Sequence, residues 1–247
     1  MMINCIDNKW MIAAVLAIMW STYTPLAAEI KGKNQYERSD NTIKGQDTST
    51  KKSAQNLPDY VHIDVEACAL KHVLRDPAET VLFPLSEGDQ KIVDILREKF
   101  LKEENCAGLA APQIGFSKRI IVYAIPEDIK NYRLDSDEVV PTRVLINPGY
   151  EPMSDTKVKD WEGCFSVAHT CGEVPRYKEI RYWGYDEKGR KIEGVARGFH
   201  ARLLQHEIGH INGELFIDLF TPDCRSGPLE EMRALRKKEF EAAQKRR

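Results

Sequence analysis

An α+β domain with an antiparallel or mixed sheet is the fold class this sequence predicts. Three observations carry it. Short β-branched and aromatic runs recur through the middle of the chain, apolar residues recur at helical spacing elsewhere, and the strand-like runs mostly precede the helix that begins at Phe199.

Taken in order, Gly88 to Lys102 sets Ile92, Val93, Ile95, Leu96 and Phe100 at helical spacing, which predicts an amphipathic helix. Arg119–Ala124 and Thr142–Asn147 are short β-branched runs bounded by Pro or Gly, and both read as strands. Glu179–Tyr185 is aromatic-rich, Asp186–Arg190 supplies a turn, and Lys191–Val195 completes a hairpin. From Phe199 the period returns to helical through Leu203, Leu204, Ile208 and Ile211, and Asn212-Gly213 ends it. Pro228 to Arg247 is a charged terminal helix with Leu229, Met232, Leu235 and Phe240 as its main apolar residues. The stretch Ala168–Glu173 reads as a loop, in which His169 could touch a ligand or simply be solvated.

The chain has 247 residues, with 36 Lys+Arg against 38 Asp+Glu and a formal net charge of −2. That balance excludes collagen-like and low-complexity chains and leaves no excess of positive charge for nucleic acid, so no nucleic-acid partner is expected. Six Cys are too sparse for a disulfide scaffold. Trp10 to Trp20 is an unbroken apolar run after Lys9, shorter than the ~20 residues a membrane span needs. With Leu26-Ala27-Ala28 behind it, residues 1–28 read as a signal peptide, so the expectation is an exported protein, periplasmic or secreted, with no span in the mature chain. If the segment is no working signal, the location is cytoplasmic. Residues 29–58 are polar and read as a flexible linker, which leaves 59–247 as the working domain.

His206-Glu207-Ile208-Gly209-His210 places two imidazoles four residues apart, on one helical face and within reach of one ion, with Glu207 beside them as a proton acceptor. Two surface histidines on an amphipathic helix would give the same letters. A catalytic ion needs a third protein ligand. Glu230 or Glu231 would supply it in a zincin-type metalloprotease. Cys164, in Trp161-Glu162-Gly163-Cys164-Phe165-Ser166, is the other candidate, although a small buried core residue is an equal reading. The stretch Cys106 to Gly115 carries small residues that let a backbone approach a ligand, then Gln113, whose amide can donate to an oxyanion.

Together, in the order GLAAPQ, EGCFS, QHEIGH, these motifs resemble the peptide deformylase family, whose pattern is GxGxAAxQ, EGCxS and QHExDH. Cys164 stands 42 residues before His206, close to the family spacing. The likeness extends to His72–Ala78, Val174–Arg176 and Gly213–Asp218 and covers residues 60–222. It implies sheets packed around a central metal-binding HExxH helix, with a C-terminal helix. It implies one divalent ion, Fe2+ by family habit and Zn2+ by ligand chemistry, held by Cys164, His206 and His210 with water in the fourth position. Glu207 is then the general base, and Gln113 with the Phe165 N–H the oxyanion donors. Backbone around Gly108 aligns the peptide like an added strand, and Arg202 and Leu203 approach the methionine pocket. The expected substrate is an N-formylmethionyl peptide or nascent chain. Cys106, Phe165 and Gly209 depart from the family letters Gly, Leu and Asp, which leaves a non-catalytic metal- or formyl-peptide-binding protein as an alternative. In an oxidising compartment Cys106 and Cys171 would be candidates for a disulfide.

Overall fold

The computed structural model describes residues 56–247 except 67, 137 and 247. The expected signal peptide at 1–28 and nearly all of the expected linker at 29–58 lie outside these described residues.

Two antiparallel sheets are built from eight strands. The larger has the order β1 (Gly108–Ala110), β2 (Ile120–Ile125), β3 (Val140–Pro152), β6 (Glu179–Tyr185) and β7 (Lys191–Arg197). The smaller has the order β4 (Lys157–Cys164), β5 (Val167–Tyr177) and β8 (Ser226–Pro228). Four helices accompany them: α1 (Lys71–Arg75), α2 (Glu87–Lys102), α3 (Gly198–Ile211) and α4 (Leu229–Gln244).

β2 explains why the larger sheet is stable. Its side chains alternate across the pleat, so Ile121, Tyr123 and Ile125 join a core with Phe199, Leu203, Leu204 and Ile208 of α3. Ile120 and Val122 join a second core with Val93, Leu96 and Phe100 of α2. Both faces are covered, so the strand reads as a continuous apolar run. α2 starts at Ser86, whose Oγ accepts from the Asp89 N–H at 3.0 Å, and it follows the expected span within one residue.

The expected hairpin is present with Glu179 opposite Arg197 and Tyr185 opposite Lys191. One reading changes. The supposed loop Ala168–Glu173 is the first half of β5, paired with β4 on one side and β8 on the other. The small-residue stretch around Gly108 is the short strand β1, which among the described residues pairs with β2 alone.

α3 is buried from Phe199 to Ile211. Its end is a two-bond cap: the Glu214 N–H donates to the Gly209 carbonyl at 2.9 Å and the Gly213 N–H to that of His210 at 3.3 Å. Gly213 stands at φ +80°, and a Cβ there would come within 2.3 Å of the Arg75 carbonyl oxygen. Gly213→Ala is therefore expected to lower the unfolding free energy by at least ~1 kcal/mol, measured by urea denaturation at fixed metal content.

Candidate metal centre

β4 slips register between Glu162 and Cys164, and Cys164 pairs with Val167 across the tight Phe165–Ser166 turn. That bulge sets Cys164 at the very end of its strand, where its thiol meets α3. Its Sγ lies 3.2 Å from His210 Nε2. His206 and His210, one helical turn apart, have ring centroids 5.0 Å apart. One ligand atom from each of Cys164, His206 and His210 lies within 4.8 Å of the other two. Glu230 and Glu231, by contrast, are exposed on α4, and Glu230 pairs with Arg233. The protease-type ligand set is thus not what the fold brings together.

Behind this cluster sits a charge network that the sequence reading did not assign. Glu162, 1% exposed, accepts from Arg176 Nε and Nη2 at 3.0 Å each, from Arg202 Nη1 at 2.6 Å, and from His206 Nδ1 at 2.8 Å. Burial pushes its carboxyl up, but Arg176, His206 and Arg202 outweigh that and hold it well below the usual range. Since Nδ1 of His206 is spent on Glu162, Nε2 is the nitrogen left for an ion. Burial also disfavours charge on His206, yet Cys164 and Glu162 push its pKa up to about 10. The surroundings thus stabilise positive charge at this point.

Glu207, on the same turn, is buried, and its Oε2 has no hydrogen-bond partner. Burial pushes its carboxyl up to about 7. Gly108 is what makes room for it: a Cβ at 108 would meet Glu207 Oε1 at 2.5 Å. Gln113 is held by its own Oε1, which accepts from the Ala110 N–H at 2.8 Å, and its Nε2 donates to Cys164 Sγ at 3.3 Å. A thiol, two imidazoles and an unsatisfied buried carboxylate converging at one point fit a divalent ion better than any uncharged group.

The other residues singled out in the sequence have the following surroundings. Arg202 is buried, with Nη1 donating to Glu162 and the Val174 carbonyl at 2.8 Å and Nη2 to the Val158 carbonyl at 2.6 Å, so its donors are committed within the protein. Leu203 is fully buried in the core beneath α3. His169 is exposed on β5. Cys106 and Cys171 are free thiols, the first donating to the Gly108 carbonyl at 3.1 Å and the second buried within β5, so the disulfide does not form.

One segment at the site went unnoticed in the sequence. Tyr60 stacks on Phe165 with centroids 4.7 Å apart, while the Val61 and Ile63 N–H groups donate to the carbonyls of Gln113 and Ser166 at 2.8 and 2.9 Å. Its polar neighbours gave no periodic signal, although Tyr60-Val61-His62-Ile63 does alternate.

Residues 67–226 match the family model described as Polypeptide deformylase. The chain is 44% identical over 190 residues to Peptide deformylase 2 of Rickettsia conorii, an alignment covering 75% of this chain and 94% of that protein. Among solved structures, the Met-Ala-Ser-bound class I type b peptide deformylase of Acinetobacter baumannii is similar with a TM-score of 0.57 and 26% identity, covering 67% of this chain and 99% of that one. An actinonin complex of the Synechococcus elongatus peptide deformylase gives a TM-score of 0.55 and 31% identity, over 69% and 84%. These relatives correct the expectation of export to the periplasm or medium. They are peptide deformylases, and none bears a name that marks it as exported. No described helix is long and apolar enough to cross a membrane.

The Glu162 network makes a measurable claim. Arg202→Met is expected to weaken Zn2+ binding ~10-fold or more, read by competition with a chelating dye, because it loosens the carboxylate that orients His206. Unaltered affinity would reduce those hydrogen bonds to scaffolding.

Proposed function

From the premise that this chain belongs to the polypeptide deformylase family, we propose that Cys164, His206 and His210 hold the metal with which it removes formyl groups from N-formylmethionyl peptides. The observation that carries this reading is the meeting of three ligand atoms within 4.8 Å beside the unsatisfied carboxylate of Glu207. α3 is in this view the central metal-binding helix, and residues 59–247 the catalytic domain. Fe2+ is the ion the family likeness favours, and the Cys-His-His set suits Zn2+ as well.

When bound, the ion acts as a Lewis acid that lowers the pKa of a water molecule and polarises the formyl carbonyl. Glu207 Oε2 takes the proton released as the water oxygen bonds to the formyl carbon. Burial, which pushes this carboxyl up, makes it a better proton acceptor than an exposed Glu and suits it to that exchange. The same oxygen then delivers the proton to the amine nitrogen as the C–N bond breaks, so formate and a free N-terminus leave. Gln113 Nε2 and the Phe165 N–H donate to the oxyanion in between. Gln113 needs little reorganisation, because its side chain is already fixed by the Ala110 N–H.

The substrate backbone lies along the sheet edge at β1, around Gly108, as one more antiparallel strand. The Acinetobacter baumannii deformylase was solved with Met-Ala-Ser, and a peptide of that kind suits a three-residue strand. Leu203 acts from within the core as backing for the methionine pocket. Arg202, expected at that pocket, we assign to holding Glu162.

Purified protein loaded with Fe2+, Zn2+ or Ni2+ is expected to release formate steadily from formyl-Met-Ala-Ser. Glu207→Gln should cut the rate ~100-fold or more while retaining metal. A protein that binds the formyl peptide without turnover would defeat the enzymatic reading. Cys164→Ala should lose stoichiometric metal; if it kept one ion per chain, Cys164 would not be a ligand.

A further inference from the structure

A cavity of about 320 Å³ opens between β4, α4 and the segment Tyr132–Asp135. Its walls are largely apolar, with Val158, Trp161 and Phe240 among them, and Arg133 and Arg236 are its buried cations, the latter 8% exposed. Arg236 has no carboxylate partner among the described residues, and its hydrogen bond, to the Tyr132 carbonyl, is long at 3.5 Å. The acids nearby are already taken. Asp135 and Asp160 both bind Arg133, while Glu173 and Glu239 both bind Arg225. Arg133 itself, 2% exposed, leaves Nη1 with no partner.

Burial and the neighbouring Arg133 pull the pKa of Arg236 down to about 10, against a smaller opposing pull from Asp160 and Asp135, which are paired with Arg133 and not with Arg236. An unpaired buried guanidinium is costly unless something completes it. An anion with two oxygens matches its planar fork. The four paired carboxylates around the rim disfavour a second negative charge, which argues for a monoanion over a phosphate monoester. Apolar walls and a volume at the lower end of ligand-sized cavities, ~300–1,000 Å³, argue for a small molecule with a hydrophobic body.

We propose that this cavity binds a small amphiphilic monocarboxylate, its carboxylate on Arg236 and its apolar body among the side chains of β4 and α4. The site shares β4 with the metal centre but contains none of the candidate ligands Cys164, His206 and His210. Val158 and Asp160 line the cavity, and the same strand ends at Cys164.

The test is a calorimetric titration of 3-phenylpropanoate into the intact, metal-loaded protein saturated with Met-Ala-Ser, so that the catalytic site is filled. Saturable binding is expected, with 3-phenylpropanamide ~10-fold or more weaker. Arg236→Met should lose the preference for the acid over the amide while formate release from formyl-Met-Ala-Ser stays at the wild-type rate. Ala243→Phe, which fills the cavity and leaves Arg236 in place, should abolish binding and guards against misfolding of the first variant. Equal affinity for acid and amide, no saturable heat, or undiminished binding by Ala243→Phe would overturn the proposal.

Discussion

Glu162 is the buried charge on which the architecture of the site depends. It is a carboxylate with almost no solvent, and it survives ionised because Arg176 of β5, Arg202 of α3 and His206 of α3 all donate to it. Each of those bonds joins different pieces of the fold. Arg176 ties β4 to its hairpin partner, and Arg202 reaches from the helix to the Val158 and Val174 carbonyls on both strands. A buried charge of this kind rarely stabilises more than apolar residues of equal volume would, but removing any partner leaves the others uncompensated. The network is better understood as a device for angle. It sets which nitrogen of His206 faces Cys164, and so couples the smaller sheet to the helix at the point where chemistry is needed.

Much of the fold was legible where packing follows a simple period. α2, the β6–β7 hairpin and the α3 terminus at Asn212-Gly213 were readable because each has one buried face and a chemically specific end. β4 and β5 were not. Pro175 and Gly172 break the strand pattern of β5, while β4 carries Lys157, Lys159 and Asp160 before its apolar residues begin. Both elements are held by their ladder and by buried arginines, and neither leaves a period-two trace in the letters. The candidate ligands stand out as letters, but their surroundings do not, since a single sequence does not reveal that Glu162, Arg176 and Arg202 are buried together. Arg202 is an example: its hydrogen bond to Glu162 leaves no trace in the letters.

The departure at Gly209 acquires a physical context. A Cβ at 209 would lie 3.3 Å from Glu214 Oε1, and that carboxylate is itself 3.4 Å from Arg176 Nη1. A negative group therefore stands beside the position where the family letter is Asp, delivered from just past the helix end. It reaches there because the Gly213 cap turns the chain back over the last turn of α3. The mid-helix glycine costs ~1 kcal/mol in propensity and leaves the space into which Glu214 packs closely.

β1 is a sheet edge of only three residues, about 10 Å long. Exposed edges invite pairing with other copies of a chain, and proteins blunt them by shortness or by occupying their polar groups. Here both devices operate: Gln113 holds the Ala110 N–H and Cys106 the Gly108 carbonyl. On the proposed placement of a substrate along β1, ladder contact would extend no further than the three residues of that strand, leaving the rest of the peptide to side-chain contacts alone.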